Sequence, residues 1–288
     1  AAHRLKTSTF YMNNRKKFLS QLMPLFSKYK RELSNEEKKA SCDDTNSKKG
    51  EAREFKLMTH QKVVSDYLNL YTPYRGLLLY HGLGSGKTCT SIAIAEGMKS
   101  QKQIIVMTLA SLRANFYDQM KVCGDPIYKL DQFWEFISID GQPNYIQILS
   151  KRLKLPEEYV SKNKGAWMVN VKKGSNFNDL SDVDKKSLNQ QIDMMIRSKY
   201  KHYNYNGLNL GIVNEMTDNL KKNPFDNCVV VIDEVHNFVS RIVNKLNDKT
   251  SISYKLYEYL MSATNARIVL LSGTPIINYP NEIGILFN

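Results

Sequence analysis

One stretch limits the folds open to this chain more than any other. Leu77-Leu-Leu-Tyr-His-Gly-Leu-Gly-Ser-Gly-Lys-Thr88 runs an apolar, strand-like segment into Gly82, Gly84 and Gly86. A lysine and a threonine follow and open a helical pattern over Ser91–Met98. Glycines at alternate positions let the backbone curl, so that successive N–H groups, those of Leu83 and Ser85 included, point at one phosphate cluster. The helix that follows adds the partial positive charge of its N-terminus at the same place. Lys87 then reaches the β- and γ-phosphates of a nucleoside triphosphate, and the Thr88 hydroxyl binds Mg²⁺. His81 stands where the strict pattern has glycine; that position closes the strand and tolerates a side chain.

Around this loop, strand and helix patterns alternate. Gly76–Tyr80, Gln103–Thr108, Glu135–Ile139, Cys228–Ile232 and Arg267–Leu271 read as strands apolar on both faces, as buried parallel strands are. Thr59–Leu70, Lys87–Lys99, Ser111–Lys121, Val213–Leu220 and Ser253–Ser262 read as helices. That alternation predicts an open, three-layer α/β fold with a mainly parallel central sheet. Residues 1–56 form a basic N-terminal extension, with 14 Lys+Arg against 7 Asp+Glu. It contains an amphipathic helical pattern at Phe18–Phe26 and a polar link at Ser41–Gly50. The remainder, 57–288, reads as one lobe. Within it, residues 140–207 fit the rhythm poorly and are expected to be a peripheral insertion. There, Trp167–Val171 is a candidate strand, Asp182–Arg197 a candidate helix, and Tyr203–Asn206 a strand end feeding the sheet. Trp134 and Trp167 read as core.

A second element carries chemistry. Val229-Val-Val-Ile-Asp-Glu-Val-His236 is a buried strand that delivers two carboxylates at its carboxyl end, where open α/β sheets place ligands. Asp233 suits Mg²⁺, and Glu234 suits orienting or deprotonating an attacking water.

Asp233-Glu-Val-His236 resembles motif II of superfamily 2 helicases and translocases, and Ser272-Gly-Thr-Pro-Ile-Ile-Asn278 resembles their motif III. The trailing Asn278 with Asn281-Glu282 is similar to chromatin-remodelling-type translocases and to the poxvirus nucleoside triphosphatase I group. Ile104–Arg113 resembles motif Ia, with Leu109 where relatives carry proline. The combination looks closest to the helicase-like early transcription factors of large nucleocytoplasmic DNA viruses. The resemblance spans about residues 55–288, outside the 140–207 stretch. It implies a three-layer P-loop NTPase (RecA-like) lobe that binds ATP and Mg²⁺, with Lys87, Asp233 and Glu234 catalytic. Gln61 would read adenine, joining Gly82, Leu83, Gly84, Ser85, Gly86, Lys87 and Thr88 as the ATP-binding set; Thr88 and Asp233 would hold the metal. His236, Ser272 and Thr274 would couple nucleotide state to the nucleic-acid face, where Thr108, Ser111 and Arg113 would hold phosphates. The implied partner is nucleic acid, DNA favoured over RNA, with a viral RNA polymerase as a second partner. The implied location is the virion or the cytoplasm of an infected cell. The family's second lobe supplies arginines that neutralise the transferring phosphoryl group, so the isolated first lobe is expected to be nearly inactive.

Charge and composition narrow the classes further. A net charge of +13 favours a polyanionic partner. No apolar run approaches the roughly 20 residues of a membrane span. The four cysteines lack C-x-x-C spacing, so a disulfide framework is not expected. The basic runs Arg15–Lys17 and Lys151–Lys154 could track a phosphate backbone, and Tyr200, Tyr203 and Tyr205 could stack on bases, but a solvated face is the favoured reading of each. A start at Ala1 and a stop just after Ile283–Phe287 suggest a piece of a longer polypeptide. An RNA-unwinding helicase and a catalytically silent ATP-binding scaffold of a transcription complex remain the alternatives. A small-molecule kinase would not need the Ser272–Asn278 element.

Overall fold

A computed structural model describes residues 20, 23–24, 26–32, 34, 58–69, 74–80, 86–142 and 144–287. Its strands are β1 (Gly76–Tyr80), β2 (Gln103–Thr108), β3 (Trp134–Ser138), β4 (Gly165–Val169), β5 (Tyr200–Asn204), β6 (Cys228–Ile232) and β7 (Arg267–Ser272). Its helices are α1 (Thr59–Tyr67), α2 (Lys87–Met98), α3 (Arg113–Cys123), α4 (Asn144–Leu153), α5 (Glu157–Lys162), α6 (Asp182–Lys199), α7 (Leu210–Thr217), α8 (Val235–Val243), α9 (Ile252–Ser262) and α10 (Asn281–Phe287). The central sheet runs β1-β7-β6-β2-β5, and every pairing in it is parallel.

The continuous apolar runs are explained by two cores, one on each face. Ile104, Val106, Val229, Val231, Val269 and Leu271 pack toward α1 to α6. Ile105, Met107, Val230 and Ile232 pack toward α7 to α10. All five residues of β6 are buried, so this strand leaves no polar face. The three-layer α/β, RecA-like expectation is met.

Three expectations need correction. Glu135–Ile139 does not join the central sheet; β3 pairs antiparallel with β4 in a separate two-stranded sheet. Its burial alternates along the strand, as a one-sided sheet requires, and a short apolar run does not reveal that in advance. The 140–207 stretch is not wholly peripheral. Its last strand, β5, is the edge of the central sheet, in register with β2 from Ile104↔Tyr200 to Thr108↔Asn204. Helix α6 feeds it directly. Ser181 caps α6 by accepting from Asp184 N at 3.2 Å, and Leu188, Ile192, Met195 and Ile196 form its buried stripe. Gln191, also buried on α6, clamps β4 through both ends of its amide, with Trp167 N donating to Oε1 and Nε2 donating to Trp167 O, each at 2.8 Å. Finally, Cys89 on α2 and Cys123 at the end of α3 form a disulfide across 34 positions.

Of the helix expected at Phe18–Phe26, residues 20, 23, 24 and 26 are described and helical. The helical residues that follow dock on α1: Tyr29 is buried and donates to Asp66 at 2.5 Å, and Lys62 pairs with Glu32 at 3.1 Å. The Ser41–Gly50 link lies outside the described residues. Among the described residues, no helix is long and apolar enough to cross a membrane.

Candidate active site

The carboxyl ends of β1, β6 and β7 bring the candidate residues to one edge. Gly82, Leu83, Gly84 and Ser85 lie outside the described residues; Gly86, Lys87 and Thr88 are described and half-buried. Gly86 has φ +78°, which favours glycine, and a Cβ there would sit 2.5 Å from Gln61 Nε2 and displace the end of that side chain. Lys87 begins α2, whose first turn holds no acidic residue to compete for its partial positive charge. Gln61 is 2% exposed; its Oε1 accepts from Met58 N at 2.9 Å and its Nε2 donates to Gly86 O at 3.2 Å. The amide thus ties the start of α1 to the residue that opens α2.

At the tip of β6, Asp233 N donates to Met107 O at 2.9 Å, which fixes this end against β2. The Asp233 carboxylate accepts from Glu234 N at 3.0 Å. Burial, and then the neighbouring Glu234 charge, push the Asp233 pKa up to about 6, against the opposing influences of the Glu234 N–H and Lys87. A half-buried carboxylate whose ionised form is disfavoured by burial and by Glu234 is one that a nearby cation would stabilise. Glu234 lies in the left-handed region, φ 46° and ψ 51°, which a residue with a Cβ adopts at a cost of about 1–2 kcal/mol.

His236 links this turn to β7. Its Nε2 lies 2.8 Å from Asn237 Nδ2, and its Nδ1 lies 3.0 Å from Ser272 Oγ and 3.4 Å from Glu234 Oε2. An amide nitrogen only donates, so Nε2 accepts and Nδ1–H faces Ser272 and Glu234. Ser272 Oγ in turn accepts from Thr274 N at 3.0 Å. A hydrogen-bonded path therefore runs from His236 through Ser272 to the backbone of Thr274, with the Glu234 carboxylate 3.4 Å from its start. Beyond it, the buried Glu282 carboxylate accepts from Ile277 N at 2.8 Å and Asn278 N at 3.2 Å. Burial alone would raise the Glu282 pKa, yet these N–H donors hold it below the usual range. Asn278 Nδ2 donates to Ser240 Oγ on α8 at 2.8 Å, closing the loop onto the helix that follows Glu234.

The motif Ia residues are less uniform. Thr108 is fully buried, and its hydroxyl donates to Leu109 O at 2.9 Å and lies 2.8 Å from His202 Nε2. It is an internal tie rather than a surface hydroxyl. Ser111 is exposed. Arg113 sits over the Tyr117 ring at 5.6 Å, with Arg197 over the same ring at 5.9 Å. Both arginines, with Lys201 and Lys222, line a groove of about 650 Å³ around β5. Burial, and then the Arg113 charge, lower the pKa of His202 beside them to about 4. Tyr200 and Tyr205 are buried and unavailable to stack on bases.

Sequence reasoning missed Asn237, the Glu282 anchor of the loop, and Tyr205. Tyr205 follows β5, and its hydroxyl lies 3.2 Å from both Asp233 O and Glu234 O. Burial, and then the charges of Asp233 and Glu234, hold its pKa well above the ordinary range, so it is a donor. No motif announces such a residue: the polar run Tyr-Lys-His-Tyr-Asn has neither helical nor strand period. Among the described residues, no cluster of three or more His, Cys, Asp or Glu forms a ready-made metal cage.

Comparison with known proteins gives the family. A family profile described as "Type III restriction enzyme, res subunit" matches residues 55–277. The chain is similar to R563 of Acanthamoeba polyphaga mimivirus, named as an ATP-dependent RNA helicase, with 30% identity over 81% of this chain and 32% of that protein. It is also similar to 087L of Invertebrate iridescent virus 3, named as a helicase (28%, 81% and 20%). The NPH-I homolog of African swine fever virus, named as a termination factor, is a further relative (25%, 74% and 22%). The chain spans a third or less of the length of these relatives. Membership of the matched family implies ATP dependence and helicase-type ATPase chemistry. The chain belongs to that family: it is an ATP-binding lobe of the superfamily 2 helicase and translocase type, related to the helicase-like transcription and termination factors of large nucleocytoplasmic DNA viruses.

Proposed function

We propose that this lobe binds Mg²⁺-ATP between the start of α2 and the tip of β6, as the first motor lobe of a translocase that tracks duplex DNA in viral transcription. The observation that carries the reading is the placement of Asp233 and Glu234 at the end of a fully buried strand, within the field of Lys87, and joined through His236 to Ser272. In this reading the phosphates lie on the Gly82–Gly86 backbone and Lys87, while Gln61, buried with its amide on Met58 N and Gly86 O, braces the end of that loop and would have to turn outward to meet the adenine. Mg²⁺ takes few protein ligands at nucleotide sites, usually one or two carboxylates besides phosphate and water. Asp233 and Thr88 fit that donor set, and the raised Asp233 pKa marks a carboxylate that a cation would relieve. The bound metal would neutralise charge on the terminal phosphates. Glu234 orients the attacking water, and its contact with His236 passes nucleotide state to Ser272 and Thr274.

Ser111 and Arg113 are the phosphate contacts in this scheme, and Thr108 holds the strand tip beneath them. Such contacts read no bases, so stimulation by nucleic acid should be independent of sequence and should fall with salt. A viral RNA polymerase is the proposed protein partner, in the virion or the cytoplasm of an infected cell. The name of the mimivirus relative favours RNA instead; stronger stimulation by single-stranded RNA than by duplex DNA at matched salt, in a polypeptide carrying both lobes, would select that reading. Without a second lobe, turnover by this chain should be close to nil. The direct test is titration with fluorescent ATP: Lys87→Ala should lose the signal, and equal affinity in mutant and parent would refute the site.

A further inference from the structure

We infer that Tyr205 is a positioning residue for the nucleotide site: its hydroxyl holds the Asp233-Glu234 turn in the left-handed conformation that aims both carboxylates. The inference rests on the metal-nucleotide reading given above and adds to it a residue from outside every motif. The phenol lies 3.2 Å from two successive carbonyl oxygens, Asp233 O and Glu234 O, so one proton is shared between the two peptide groups on either side of the strained residue. Glu234, at φ 46°, pays a conformational penalty that something nearby must offset, and these are the two carbonyls whose directions define that turn.

The tyrosine is itself fixed from three sides. Its backbone N donates to Thr108 O at 3.2 Å, continuing the β2–β5 ladder past the end of β5. Its backbone O accepts from Arg241 Nη1 on α8 at 3.2 Å, and its ring packs on Phe238 of the same helix at 5.7 Å. The side chain is 4% exposed, so the hydroxyl is already directed onto the turn in a water-poor setting. Glu234 O also accepts from Asn237 N at 3.0 Å, so a lost phenol donor falls chiefly on Asp233 O. The edge strand thus reaches across β2 to grip the tip of β6. A residue that only filled space would not need its hydroxyl there.

The test uses this chain and a fluorescent ATP analogue, titrated with and without Mg²⁺, together with the thermal midpoint. Tyr205→Phe keeps the ring and removes the donor. It should leave metal-free ATP affinity within twofold of the parent and shrink the Mg²⁺-dependent gain in affinity by about fivefold, the size expected for one shared buried hydrogen bond. Phe238→Leu serves as the packing comparator and should lower the thermal midpoint while keeping the Mg²⁺ gain. Asp233→Asn should abolish the gain outright. An unchanged gain in Tyr205→Phe, with the gain abolished in Asp233→Asn, overturns the role of Tyr205 alone. An equal loss of affinity with and without Mg²⁺ in Tyr205→Phe also overturns it, since that is a structural defect. A gain that survives Asp233→Asn overturns the metal-site reading and the inference with it.

Discussion

Strands β6 and β5 flank the same strand, β2, and run parallel to it, yet they are built on opposite principles. Strand β6 is Cys-Val-Val-Val-Ile, paired on both edges and buried on both faces, so its side chains contribute only apolar packing. Strand β5 is Tyr-Lys-His-Tyr-Asn, an edge held by specific polar bonds: His202 to Thr108, and beyond the strand Tyr205 to the β6 turn. The difference assigns labour. Packing gives β6 a rigid base from which two carboxylates can be presented at a strained turn. The edge strand anchors itself in the core through the buried Tyr200 and, through the residues at and beyond its end, locates that turn. Changes in β6 should therefore affect stability and chemistry, and changes around β5 should affect alignment and pH response.

The largest expected effect lies at the tip of β6. In a polypeptide carrying both lobes, Glu234→Gln should retain ATP binding and lose about a thousandfold in turnover, since the water loses its orienting carboxylate. Substantial residual hydrolysis would place the base elsewhere. Next is the strand itself. Ile232 is 1% exposed, and Ile232→Ala should cost about 3 kcal/mol in denaturant unfolding. A cost below 1 kcal/mol would mean that β6 is not held by packing.

The two strands should also respond oppositely to pH in the metal-free protein. Asp233 has a folded pKa near 6, above its ordinary 3.8. Its contribution is most favourable below about pH 4 and is lost as pH rises through 6. His202 has a folded pKa near 4, below its ordinary 6.5, so its contribution is present above 6.5 and lost as pH falls toward 4. Asp233→Asn should therefore stabilise the metal-free lobe above pH 6, and His202→Gln should flatten the loss of stability between pH 6.5 and 4. Stability curves that keep the parent's slope in both variants would break the comparison. The smallest effect is expected where α6 is capped before it feeds β5: Ser181→Ala should cost about 1 kcal/mol and leave ATP affinity unchanged.

The contrast between the strands also explains what could be read in advance. The bounds of β2 and β6 follow from apolar runs, because a strand buried on both faces has no other way to be written. Strand β1, an edge strand with only Leu79 fully buried, is marked by its Leu77–Leu79 run. Lys87, Asp233 and Ser272 meet at one edge because each lies at the carboxyl end of such a run, where parallel strands converge. The setting of Thr108 is not legible in advance, because a hydroxyl at a strand tip looks the same in sequence whether it meets solvent or His202. Tyr203–Asn206 reads as a strand end, but the role of Tyr205 is not legible, because its partners are backbone carbonyls, which carry no residue identity. The Cys89–Cys123 pair, 34 positions apart, likewise depends on how α2 and α3 lie together.

The central claim is that the tip of β6 and the start of α2 form one metal-nucleotide site. It is tested most directly by the affinity of this chain for ATP, measured calorimetrically with and without Mg²⁺ in the parent and in Asp233→Asn. The account predicts that Mg²⁺ tightens binding to the parent at least tenfold and leaves the variant unaffected, while metal-free affinity is the same in both. An equal Mg²⁺ effect in parent and variant would show that Asp233 does not face the metal, and would contradict the account.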